Sequence, residues 1–258
     1  MSEETRSHEN IVEIDAPIEQ VWKGITEAKE IARWFAPKMT VEPGVGGFVL
    51  ADWGPNLQWK TVIEVWEPNK HLRTVETRDR AINAPPDTEP MEPCRLVQDY
   101  YLEAKGGKTV LRLVHSGFGT SMRWDQEYEA TRGGWAGCFL RLKSLLERHQ
   151  RDSVHNVFFT AMFYGVNPLR AIGEIEKAAP KPFDVTLRGK SQISGFLREF
   201  NDSIVSICVH PSAMGSVANV EMVLYGLSEQ KAAEVKNSWQ TALEGLFPHS
   251  SQAAVAIT

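Results

Sequence analysis

The stretch Leu111-Arg112-Leu113-Val114-His115-Ser116-Gly117-Phe118, followed further on by Gly133-Gly134-Trp135, joins a strand to a long helix. Thr109, Leu111, Leu113 and His115 share one strand face, because successive side chains of a strand point to opposite sides. Tyr128, Thr131, Trp135, Cys138, Leu142 and Leu145 then recur at three- and four-residue steps, one stripe of a helix that runs to about His149. Gly133, Gly134 and Gly137 lie inside that helix, where each costs about 0.5–1 kcal/mol against alanine. Either something approaches the helix backbone there or the helix packs tightly on a sheet.

Upstream, Ile11 to Ile14 reads as a short strand and Asp15-Ala16-Pro17 opens a helix, proline being pre-shaped for a first helical turn. Val21, Trp22 and Ile25, then Ile31, Trp34 and Phe35, keep helical spacing. Pro37 and the turn Pro43-Gly44-Val45-Gly46-Gly47 end these helices and start a sheet. Leu57, Trp59, Thr61, Ile63 and Val65 alternate as a half-buried strand, and Leu72 to Thr77 is a second. Ala81 to Pro93, with four prolines, is expected to be a loop. Leu96 to Ala104 and Thr109 to Ser116 form a hairpin around Lys105-Gly106-Gly107.

Downstream of a polar linker, Arg148 to Ser153, the order partly repeats. A helix is predicted from Asn167 to Ala179, and strands over Phe183 to Leu187, Ser191 to Phe200, Ser203 to Val209 and Val217 to Tyr225. Ser228 caps a last helix whose stripe is Ala232, Val235, Trp239, Ala242 and Leu246. Laying Trp239 over Trp135 aligns Leu243 with Phe139 and Leu246 with Leu142. We therefore expect two domains, 1–149 and a shortened copy at 153–258, related by a degenerate tandem duplication.

Composition narrows the function. A chain of 258 residues that is 42% hydrophobic and 24% charged is ordinary globular material. Its net charge of −5 gives no electrostatic case for nucleic acid or for anionic lipid. No apolar run approaches the ~18–20 residues of a membrane span, and the acidic start Met1-Ser2-Glu3-Glu4 does not read as a secretory leader. Cys94, Cys138 and Cys208 are odd in number and far apart, which argues against a disulfide framework or zinc site and for a cytoplasmic protein with reduced thiols. No two histidines stand at metal-ligating helical spacing, and no phosphate loop or nucleophile elbow is present, so neither a metal nor a cofactor is expected. Seven of the eight tryptophans fall in the first 150 residues, so something aromatic is built there.

Ala16-Pro17-Ile18-Glu19-Gln20-Val21-Trp22, Ile31-Ala32-Arg33-Trp34-Phe35 and Pro43-Gly44-Val45-Gly46-Gly47, with the two motifs that open this section, resemble the START-like (birch-pollen-allergen-like) helix-grip superfamily. They look like the branch named for the activator of the ninety-kilodalton heat-shock chaperone's ATPase. The resemblance covers roughly residues 10–149. It implies an α+β fold, a curved antiparallel sheet wrapped around a long C-terminal helix, with a cavity that often holds apolar ligands. It also implies a chaperone as an alternative partner in a stress response, and a cyclase- or hydrolase-type enzyme as a third reading. Residues 153–258 lack the Ala-Pro…Val-Trp and Pro-Gly-Val-Gly-Gly motifs.

On that fold the cavity for an apolar or aromatic small molecule is expected to be lined by Trp34, Phe35, Trp59, Tyr101, His115, Phe118, Trp135 and Phe139. Aromatic side chains suit such a pocket, and they equally suit a solid core. His115 can serve as a general base or hydrogen-bond a ligand; it can also be a core histidine bonded to backbone. Asp99 and Tyr101 share one face of their strand and Gln98 and Tyr100 the other, and the alternation does not say which is inward. An inward Asp99 would pair with His115, and an outward one would be a surface charge. Cys138, on the apolar stripe, reads as buried and inert.

Overall fold

The computed structural model describes residues 4–54, 58–78, 94–180 and 183–246. Leu57, the 81–93 stretch and the first three residues lie outside them. The chain divides into two compact units, Met1–Arg148 and His149–Thr258.

In the first unit β1 (Arg6–Ile14) leads into helices α1 (Ile18–Thr26) and α2 (Ala28–Ile31). Strands β2 (Lys38–Glu42), β3 (Phe48–Asp52), β4 (Gln58–Glu67), β5 (His71–Arg78), β6 (Cys94–Lys105) and β7 (Lys108–Phe118) follow, and α3 (Asp125–Arg148) closes the unit. The antiparallel sheet runs β1-β7-β6-β5-β4-β3-β2, so the first strand pairs with the last. Pro17 is the cap residue of α1, whose Val21, Trp22 and Ile25 are buried. Gly106 and Gly107 both take positive φ (59° and 84°), the geometry of a two-residue hairpin turn between β6 and β7. The stripe expected on α3 is buried at Trp135, Cys138, Leu142 and Leu145, against Ile14, Leu111 and Leu113 on the inner face of the sheet. This is the α+β helix-grip fold.

Two strands of this unit escape the sequence reading. β2 and β3 are short, and their turn is the Pro43 to Gly47 motif itself, which locks onto β4 through Gly46 N–H to the Ile63 carbonyl (2.8 Å) and Ile63 N–H to the Gly47 carbonyl (2.8 Å). A third departure is in β4. A bulge between Ile63 and Val65 sets Trp66 opposite Leu72 and Val65 opposite Arg73. The bulge reverses the alternation, so Trp66 and not Val65 continues the inner face, where its ring meets Trp22 edge-on at 5.3 Å.

In the second unit β8 (Val154–Tyr164) precedes α4 (Pro168–Ala178). Strands β9 (Phe183–Arg188), β10 (Gln192–Leu197), β11 (Ser203–Ser212) and β12 (Gly215–Tyr225) follow, then α5 (Glu229–Leu246). Its sheet runs β8-β12-β11-β10-β9, the wiring of the first unit with two strands fewer. Strand β8, unassigned from sequence, pairs with β12 along its whole length. Asn167 caps α4 by accepting the Arg170 N–H (2.9 Å), and Ser228 Oγ accepts the Lys231 N–H (3.2 Å) at the start of α5. Trp239, 1% exposed, fills the sheet–helix interior with Val235 and Leu243.

Candidate functional site

The inner face of the first unit's sheet and the middle of α3 enclose an aromatic box. Trp34 and Phe35 enter from the segment after α2, Trp59 from β4, Tyr100 from β6 and Trp135 from α3. Phe35 lies flat on Trp135, with ring centroids 5.6 Å apart and planes 4° from parallel. Trp34, Trp53 and Trp59 surround the same phenyl ring at 5.3–5.8 Å. Stacked pairs of this kind contribute about 0.5–1.5 kcal/mol beyond burial. Together the rings leave a cavity of about 40 Å³, room for a few waters rather than for an aromatic ligand. Among the described residues no charged side chain lines it.

The polar floor of the box is a chain of four side chains. Trp135 Nε1–H donates to His115 Nδ1 at 3.1 Å, and the Gln98 amide lies 3.2 Å from His115 Nε2 and 2.9 Å from Thr74 Oγ1. An indole N–H can only donate, so Nδ1 is the acceptor and the imidazole proton sits on Nε2. Nε2–H then needs an acceptor, which turns the Gln98 oxygen towards His115 and the Gln98 NH2 towards Thr74 Oγ1. This orientation leaves one Gln98 N–H and the Thr74 hydroxyl proton for other partners, and both residues line the cavity.

Beside this chain stands a second inner-face histidine. His8 of β1 pairs with His115 across the ladder, their rings 5.3 Å apart, and its Nε2 lies 3.2 Å from Thr131 Oγ1. Thr131 Oγ1 also donates to the Glu127 carbonyl at 2.8 Å, so His8 Nε2 is the donor in its contact with Thr131. Burial holds the His8 pKa down to about 4. Burial likewise pushes the Tyr100 phenol well above its ordinary value.

The structure brings together Trp34, Phe35, Trp59 and Trp135 on the cavity wall. His115 (0% exposed) stands one residue behind the wall, bonded at both ring nitrogens by side chains. Phe139 is buried behind Trp135, its ring 6.1 Å away, and Phe118 belongs to a separate cluster with Leu96 and Trp124. Tyr101 lies elsewhere. The inward residues of β6 are Gln98 and Tyr100, so Tyr101 and Asp99 face outward. There Tyr101 stacks on His71 (4.4 Å) under the Arg112 guanidinium. Asp99 accepts from Arg73 Nε and Nη2 (2.7 and 3.1 Å), with His71 Nε2 at 2.6 Å. That ion pair raises the Arg73 pKa.

Tyr100, Gln98 and Thr74 are among the wall and floor residues that were not foreseen. The pairing of Tyr100 with Leu113 and of Gln98 with His115 puts them on the face already assigned to His115, a register that one strand's alternation cannot supply. At Gly134 an added Cβ would meet nothing within 4 Å, so no close approach to the helix backbone requires that glycine. Among the described residues no three His, Cys, Asp or Glu side chains cluster to hold a metal, and no helix is long and apolar enough to cross a membrane. The second unit has a hollow of about 220 Å³ beside Trp239, walled by Pro180, Phe200 and Val235 and rimmed by Lys231 and Glu234.

A sequence profile of the family described as activator of Hsp90 ATPase homolog 1-like protein matches residues 15–147. The chain belongs to this family. Solved structures to which the chain is similar include protein MLL2253 from Mesorhizobium loti, 28% identical over 55% of this chain and 96% of that one, with a TM-score of 0.45. The AHSA1-like protein of Rhizobium etli is 23% identical over 56% and 84% (TM-score 0.43). DynU16, from the dynemicin biosynthetic locus, is 15% identical and aligns over 93% of this chain and 97% of its own (TM-score 0.43). These TM-scores are low, so the fold assignment rests on the family profile and on the strand order. No curated protein sequence matches the chain.

Proposed function

We propose that the first unit is a cytoplasmic binding module that holds an apolar or aromatic small molecule between its sheet and α3. The observation that carries this reading is the aromatic-walled site beneath Trp135, floored by Thr74 and Gln98 and with no charged side chain among its described lining residues. Ligand sites combine mostly apolar walls with a few placed polar groups. His115, with both ring nitrogens engaged, serves this site as a support for Trp135 and Gln98 rather than as a base.

Native mass spectrometry of protein purified without detergent tests the proposal. A bound mass, or saturable quenching of tryptophan fluorescence by members of an apolar ligand panel, is expected. An apo mass together with no quenching across the panel would overturn it.

The family description favours a second reading, an interaction with a chaperone ATPase. Stimulation of a ninety-kilodalton heat-shock chaperone's ATP hydrolysis at saturating protein would establish it, and its absence would remove it.

A further inference from the structure

The ring that fills the box belongs to the protein itself. Phe35 occupies the flat face of Trp135, touches three more tryptophans, and is only half-buried. Trp135 is held by its bond to His115, whereas the Phe35 ring has no polar tether. The residue before it is fixed twice: Trp34 Nε1 donates to the Gly24 carbonyl at 2.8 Å, and Arg141 Nε donates to the Trp34 carbonyl at 2.8 Å. Phe35 can therefore leave by rotating its side chain while the backbone stays in place. A cavity of about 40 Å³ is too small for a benzene-sized molecule, which fits one of ~150 Å³; vacating the phenyl slot is what makes room for a ring.

We propose that Phe35 is an internal plug standing in for a ligand, and that the ligand is a planar, neutral aromatic molecule carrying an oxygen acceptor such as a ketone. The ligand takes the Phe35 position on Trp135, and its oxygen accepts from the spare Thr74 hydroxyl and Gln98 N–H. Neutrality follows from the absence of any charged side chain among the described residues of the lining. The acceptor follows from the two unspent donors at the floor. This inference rests on the binding reading above and names its ligand class.

The test uses two probes, 2-acetonaphthone and its oxygen-free counterpart 2-ethylnaphthalene, titrated into the full chain by calorimetry and tryptophan fluorescence. Phe35→Ala and the gentler Phe35→Leu, each checked for native near-ultraviolet circular dichroism, are expected to bind the ketone at least tenfold more tightly than the wild type. The ketone is expected to bind at least fivefold better than the hydrocarbon. Thr74→Val should erase most of that preference. If the wild type binds the probes and both Phe35 variants bind no better, the plug is wrong while the binding reading stands. Equal affinity for ketone and hydrocarbon overturns the acceptor assignment. If no protein binds either probe up to its solubility limit, the plug and the binding reading fall together.

Discussion

Trp135 on α3 donates its indole N–H to Nδ1 of His115 on β7 at 3.1 Å. That bond joins the strand and the helix from which the fold is read, and it sets the tautomer on which the floor of the cavity depends. Replacing Trp135 by Phe leaves a fully buried ring nitrogen without its donor and removes part of the packed ring. An unsatisfied buried acceptor costs about 1–3 kcal/mol, and the lost volume adds to it. Trp135→Phe is expected to lower the unfolding free energy by about 2–4 kcal/mol in urea titration. A cycle with His115→Leu is expected to show a coupling of about 1 kcal/mol.

His8 makes stability depend on acid. Its pKa is depressed to about 4 by burial, below the ordinary 6.5 that it regains on unfolding. Between those values the unfolded chain binds a proton that the folded one does not. Stability is therefore whole above about pH 6.5, falls as pH drops, and has lost the His8 contribution in full below about 4. The interval corresponds to about 3 kcal/mol. His8→Phe is expected to remove this part of the pH dependence, so that the wild-type-minus-variant difference in denaturation free energy falls as pH drops through the window; a difference that stays constant with pH would show that His8 does not titrate this way.

Two glycines should respond oppositely. Gly134 lies in α3 with open space where a Cβ would go, so Gly134→Ala is expected to stabilise by about 0.5–1 kcal/mol through helix propensity. Gly117 has φ +93°, and a Cβ there would sit 2.0 Å from the Arg95 carbonyl oxygen. Gly117→Ala is expected to destabilise by several times as much as Gly134→Ala stabilises. Thermal melts of the two variants give both signs.

On the outer sheet face, Asp99 is 6% exposed and holds Arg73 in a two-pronged ion pair with His71 alongside. Asp99→Asn keeps the shape but removes the charge and one acceptor. We expect a loss of about 1–3 kcal/mol and no change in ligand binding, because Asp99 lies on the opposite side of β6 from Gln98. Reduced affinity for the ketone probe would contradict the facing assigned to β6.

What the chain's own pattern determines is most of the elements and the inward faces of β7 and α3. The stripe from Trp135 to Leu145, the alternation ending at His115 and the Gly106-Gly107 turn each depend on a local repeat, and local repeats are visible in one segment at a time. The family motifs add the wrapping of sheet around helix. Tertiary structure decided the rest. Strand β8 is apolar on both sides of its alternation (Val157, Phe158, Phe159, Ala161, Met162, Phe163), so no period marks it until β12 pairs with it. The bulge after Ile63 turned Trp66 inward, and cross-strand register chose Tyr100 over Tyr101 for the cavity. The tryptophan excess pointed to an aromatic interior, but only the packing shows it almost filled, with Phe35 in the central place. A side chain's neighbours across a sheet are set by pairings tens of residues away, and those are absent from any local pattern.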